Sequence, residues 1–119
     1  MFISDFFIFL IEMKMYHWST GSYARHKASG KCFEKLIDLL DNFVEVMIGR
    51  MGKKFIKDIS TLKMGTIKVP GEKEISKKLQ DFESFLENLK IKKTDTELLN
   101  IRDEMLEVVE KTVYLFTLE

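Results

Sequence analysis

The chain has 119 residues, 45% of them apolar and 32% charged, with a formal net charge of zero. That composition suits a soluble protein with one core and one domain over 1–119. The balanced charge excludes bulk recruitment by nucleic acid or an anionic membrane surface. The single cysteine, Cys32, excludes an intrachain disulfide and fits a reduced, intracellular setting.

The opening stretch, MFISDFFIFLIEMKM, has no basic residue before its apolar run, and the unbroken run extends only from Phe6 to Ile11. A membrane span needs about 20 apolar residues, so neither a span nor a signal peptide is expected. The spacing predicts a first helix over about 2 to 18, with Ile3, Phe6, Phe7, Leu10 and Met13 inward. Phe2, Ile8, Phe9 and Ile11 cover most of its remaining surface. A helix apolar nearly all round needs neighbours on every side, so this one is expected at an interface between copies.

A second helix is predicted from about Tyr23 to Arg50, with Phe33, Leu36, Ile37, Leu40, Phe43, Val44, Met47 and Ile48 on one face. Between Met51 and Gly71 the period is lost; three glycines, the only proline and five lysines mark a long connection. A third helix follows over about Glu72 to Ile91, with Ile75, Leu79, Phe82, Leu86 and Leu89 inward. The stretch TDTE, Thr94 to Glu97, has the form of a capping box. It should open a fourth helix over about 95 to 118, with Leu98, Ile101, Met105, Val108, Leu115 and Phe116 inward.

Connection lengths decide the topology. Short links between helices one and two, and between three and four, make each pair antiparallel. The middle connection, about twenty residues, reaches up to roughly 65 Å, whereas a twenty-residue helix is only about 30 Å long. It can therefore cross the whole molecule. The expected fold is an all-α four-helix bundle with one long crossover, the pattern of ferritin-like bundles.

The chemistry-bearing residues are few. His17 and His26 are the only histidines, and they flank the first turn in YHWSTGSYARH. On helix two, Glu34, Asp38, Asp41 and Glu45 recur at spacings of four, three and four, which makes one narrow acidic stripe. Such a stripe is ordinarily a solvated face, and like charges one turn apart repel by roughly a few tenths of a kcal/mol per pair. Carboxylates one turn apart, as Asp41 and Glu45 are, can also share a cation. His26 lies fifteen residues before Asp41, about 22 Å along a helix. The two cannot ligate one ion within one chain, so a shared site requires two chains packed antiparallel about a two-fold axis.

The stretch MKMYHWSTGSYARHKASGKCFEKLIDLLDNFVE resembles the first two helices of the Dps miniferritins. That family carries a His-Trp at the end of helix one, a second His early in helix two, an Asp fifteen residues further on and a Glu four beyond that. Here these positions are His17-Trp18, His26, Asp41 and Glu45. The resemblance implies a metal site, iron first and zinc as the lesser alternative, formed by His17, His26, Asp41 and Glu45 across a homodimer of helices one and two, with a higher oligomer as an extension.

HWST, SYARHKAS, FEKL, LLNIRDEML and VYLFTL also resemble a small ferritin-like family of large DNA viruses and phages. That second likeness sharpens the fold rather than the activity, and implies a host cytoplasm or a virion as the location.

The departures shape the expectation. The segment between the histidines is three residues shorter than in Dps, the acidic ligand expected four residues after the second His is Gly30, and the Arg after the Glu is Val46. Without a lysine-rich tail, Dps-like DNA binding has no basis. No Glu-x-x-His occurs, which excludes the ferritin di-iron centre inside one bundle. Simple binding is therefore expected before rapid Fe(II) oxidation, with no catalytic residue assigned. The competing expectation is a structural or interaction protein, attached to a capsid or host partner, that keeps the helices without metal chemistry. On that expectation His17 caps helix one beside Trp18, and His26 is a core-edge histidine bonded to a carbonyl. Trp18 and Tyr23 are expected to pack rather than relay electrons, and Cys32 to be inert.

Overall fold

A computed structural model of the chain describes residues 2–58 and 65–118. Five helices form among them: α1 (Phe2–Ser19), α2 (Tyr23–Met51), α3 (Lys54–Asp58), α4 (Glu74–Glu87) and α5 (Thr96–Leu115). The fold is all-α, with no strand among the described residues. Part of the expected crossover, residues 59–64, and the side chains of Phe2, Lys57 and Asp58 lie outside the described residues.

The four long helices pack in a ring, α1 on α2, α2 on α5, α5 on α4 and α4 on α1. Side-chain contacts give their directions. Lys14 lies over Phe33 and His17 stacks on His26, so α1 and α2 run antiparallel. Arg25 reaches Phe116 while Arg50 reaches Asp95 and Glu97, so α2 and α5 do too. Phe9 stacks on Phe82 and Tyr16 bonds Glu72, which sets α1 antiparallel to the chain leading into α4. Arg50 and Glu72 thus sit at opposite ends, so the connection after α2 starts at one end of the molecule and returns to the helices at the other. It is not structureless: α3 forms within it, and Phe55 is buried.

The core is continuous across all four long helices, with Phe6, Leu10, Met13 and Tyr16 of α1 fully enclosed beside Leu36, Ile75, Leu79, Leu86, Met105 and Val109. Phe82 sits between Phe6, edge-on at 5.0 Å, and Phe9, stacked at 3.9 Å. Phe9, expected on the outer surface, is therefore inside. Phe7, expected inward, stays half-exposed with Ile8, Ile11 and Met15, and Trp18, expected to pack, is exposed, while α4 covers the side of α1 that α2 does not. Glu12 is also buried there, paired with Lys78 at 2.8 Å.

Three further expectations are corrected. The capping box at Thr94–Glu97 does not form: Asp95 is the N-cap and makes no side-chain cap bond. Asp95 and Glu97 instead hold the Arg50 guanidinium, which occupies the carboxylate that the box would have turned back to the helix start. The third helix starts two residues later than expected and ends at Glu87, because Glu72 is drawn into a tertiary network and Asn88 turns back to bond the Ser84 carbonyl. On α5 the fully buried valine is Val109; Val108, expected inward, is half-exposed.

Candidate functional site

The first turn is built for a tight corner. Ser22 caps α2 by accepting from the Arg25 N–H, satisfying one of the free donors at the helix start. Only Thr20, Gly21 and Ser22 lie between the helices, so the last turn of α1 faces the first turn of α2. That brings the histidines together. Their rings stack at 3.9 Å between centroids, 14° from parallel. His17 Nδ1 lies 2.6 Å from the His26 carbonyl, and His26 Nδ1 lies 2.8 Å from the His17 carbonyl. A carbonyl only accepts, so each Nδ1 carries the proton and donates. Neither Nε2 has a hydrogen-bond partner among the described residues.

Gly30 belongs to this arrangement. A Cβ there would stand 2.8 Å from Cε1 of His17, closer than a side chain tolerates. The imidazole lies over bare backbone, and this explains the glycine in the middle of a helix despite its poor helix propensity. Both rings line a groove of about 580 Å³, together with Gly30, Lys31, Glu34 and Leu118.

Asp41 and Glu45 lie exposed on α2, and nothing of opposite charge pairs with them among the described residues. Glu45 is held above the usual carboxylate range by its hydrogen bond to Asp41 and by the charge of that neighbour. His17 and His26 are brought together, then, while Asp41 and Glu45 form a second pair about 22 Å further along α2. Among the described residues, no group of three or more His, Cys, Asp or Glu within the chain could hold a metal ion.

Sequence reasoning missed the polar network beside the histidines. Tyr16 Oη donates to Glu72 at 2.7 Å, Thr20 donates to the same carboxylate at 2.6 Å, and Arg25 donates to it at 3.0 Å. Arg25 also donates to the carbonyls of Glu72 and Phe116 and lies over the Phe116 ring at 5.1 Å. Glu72 is held below the usual carboxylate range, first by the Thr20 and Tyr16 hydrogen bonds and then by Arg25. No local pattern announces Glu72, which is 47 residues from Arg25. Cys32 is buried between α2 and α5, and burial raises its thiol to about 11, so it is neither nucleophile nor ligand near neutral pH.

A family model matches residues 17–116, from the first histidine to the phenylalanine on which Arg25 rests. The chain belongs to the Family of unknown function (DUF5856). A similar protein, the Uncharacterized 14.6 kDa protein in mobD-ri intergenic region of Enterobacteria phage T4, is 46% identical over 56 residues. That match covers 44% of this chain and 44% of the phage protein, less than half of either. No solved structure matches. No helix among the described residues is long and apolar enough to cross a membrane.

Proposed function

We propose that this DUF5856 chain is a ferritin-like, metal-binding protein whose site is completed only when two copies associate, His17 and His26 of one copy facing Asp41 and Glu45 of the other. The observation that supports this most is the tautomer of the histidine pair. Each Nδ1–H is engaged by a backbone carbonyl, the outer-shell arrangement that orients an imidazole for metal and leaves Nε2 as the donor atom. Imidazole and carboxylate together suit iron, and zinc as well. The lone pairs of two near-parallel rings do not converge, so both imidazoles meet one ion only if the stack parts. Ferritin-like topology is supported by the antiparallel ring of helices and the connection that starts at one end of them and returns at the other.

A second reading has its own observation. The stack, the reciprocal carbonyl bonds and Gly30 account for both histidines with no ligand at all. On that reading the pair is a clamp between α1 and α2, and the chain is a non-enzymatic scaffold acting through association with capsid or host components.

Anaerobic Fe(II) binding, followed by calorimetry with mass in solution measured alongside, separates the two. The informative variants are Asp41→Asn and His26→Asn, whose amide keeps a donor for the His17 carbonyl without an imidazole. The metal reading expects saturable binding by the dimer, lost in either variant. No binding above background in a stable dimer leaves the scaffold.

A further inference from the structure

The outward face of α2 carries its charge in two halves. At about 100° per residue, Lys27, Lys31, Glu34, Asp38, Asp41 and Glu45 all fall within about 40° of one line along the helix. All six are exposed. The lysines occupy the N-terminal end of that line and the carboxylates the rest. None of the six forms an ion pair among the described residues, although Arg25, Arg50, Lys77, Lys78 and Arg102 all do. Lys27 has only the Tyr23 ring, at 5.7 Å.

We infer that a second copy of this chain covers that face by antiparallel, two-fold pairing of α2, setting Lys27 and Lys31 of each copy against Glu45 and Asp41 of the other. Position decides the register. Lys27 and Glu45 stand nine residues either side of Leu36, and Lys31 and Asp41 stand five either side. A two-fold axis at the level of Leu36 therefore places each lysine at the height of its carboxylate, about 13 Å and 7 Å from the axis. Parallel pairing would set lysine on lysine and carboxylate on carboxylate, so the sign pattern selects the antiparallel arrangement. Half-exposed Phe33, Ile37 and Val44 flank the stripe on the side facing α1 and supply apolar area to the same contact. One term opposes it: Glu34 and Asp38, two residues either side of Leu36, meet near the axis, with Lys35 as the neighbouring cation.

The pairing rests on the proposed association of two copies but not on metal, and it supplies ammonium groups that would compete with an ion for Asp41 and Glu45. The test is mass in solution by sedimentation equilibrium at low salt with a chelator present, so that metal plays no part. Wild type is expected to dimerise. K27E/K31E and D41K/E45K, each made uniform in sign at the four outer positions of the stripe, are expected to raise the dimer dissociation constant at least about 100-fold, since like charges then face each other at both ends. An equimolar mixture of the two variants is expected to recover a one-to-one heterodimer. All four positions are exposed and form no ion pair among the described residues, and circular dichroism of each variant checks that α2 is intact. A monomeric wild type, variants that dimerise as wild type does, or a mixture that stays monomeric would each overturn the pairing. Iron titration read separately keeps the two ideas apart: a charge-dependent dimer that binds no iron sinks only the metal reading, and an iron-binding dimer indifferent to charge reversal sinks only this register.

Discussion

The two ends of the molecule are closed in different ways. At the corner end, four chain segments meet in one polar network: Tyr16, Thr20, Arg25 and Glu72 bond each other, and Arg25 reaches on to the Phe116 carbonyl. The histidine stack and its paired carbonyl bonds lie beside it. At the opposite end, Arg50 bridges only Asp95 and Glu97. Beside it Phe43, Met47, Phe85, Leu89 and Leu98 line an open groove of about 980 Å³. The difference teaches where geometry is specified. A guanidinium that donates to several chain segments at once locks a corner, while one that donates to two residues of a single helical turn ties two helix ends with fewer constraints.

The largest expected effect breaks this contrast if it fails. Arg25→Ala removes bonds to Tyr16, Glu72 and Phe116 at once and should cost about 2–3 kcal/mol in urea unfolding, because partly buried partners are left unsatisfied. Arg50→Ala at the open end should cost clearly less, since it frees only Asp95 and Glu97 of one helical turn. Equal losses would mean that the two ends are equally specified.

A smaller effect sharpens the account of the histidines. In an ordinary helix interior Gly→Ala gains about 1 kcal/mol. Here Gly30→Ala must push the His17 ring off its stack and is expected to destabilise by about 1–2 kcal/mol, the scale of an overpacking strain. In a His17→Ala background the same change should stabilise by about 0.5–1 kcal/mol. A double-mutant cycle on thermal unfolding reads the sign reversal. Additive effects would show that the close approach at Gly30 is not what keeps alanine out.

The smallest effect is in pH. Glu72 is depressed in the folded protein, so its contribution is complete above the ordinary carboxylate pKa of about 4.3 and fades as pH falls through its lower folded value. Glu72→Gln should flatten that part of the stability curve, whereas Glu97→Gln, on the exposed surface, should change it far less. A wild-type curve that is flat below that pH would detach Glu72 from the corner's stability.

How much was legible follows from the range over which each residue acts. Helical periodicity is a local property, so α1, α2 and α5 could be placed to within a few residues, and their connections fixed which neighbours run antiparallel. The pairing of His17 with His26 was close to legible, since a three-residue turn forces the flanking helical turns together. Gly30 could be read only as a missing ligand; its role as the floor beneath an imidazole needed three dimensions.

Sequence by itself determined that this is an all-helical chain with a long middle connection, a histidine at each side of its first turn and a helix split into basic and acidic halves. Each of these depends on residues within a turn or two of one another. Tertiary structure decided the rest. It put Phe9 inside because α4 arrives on that side of α1, and it dissolved the expected capping box because Arg50 reached Asp95 and Glu97 from another helix. It made Glu72, otherwise one more carboxylate at the end of a loop, the acceptor on which the corner closes. The reason is the same in each case: a long charged or aromatic side chain takes the best partner within reach, and only the packed helices decide which partners those are.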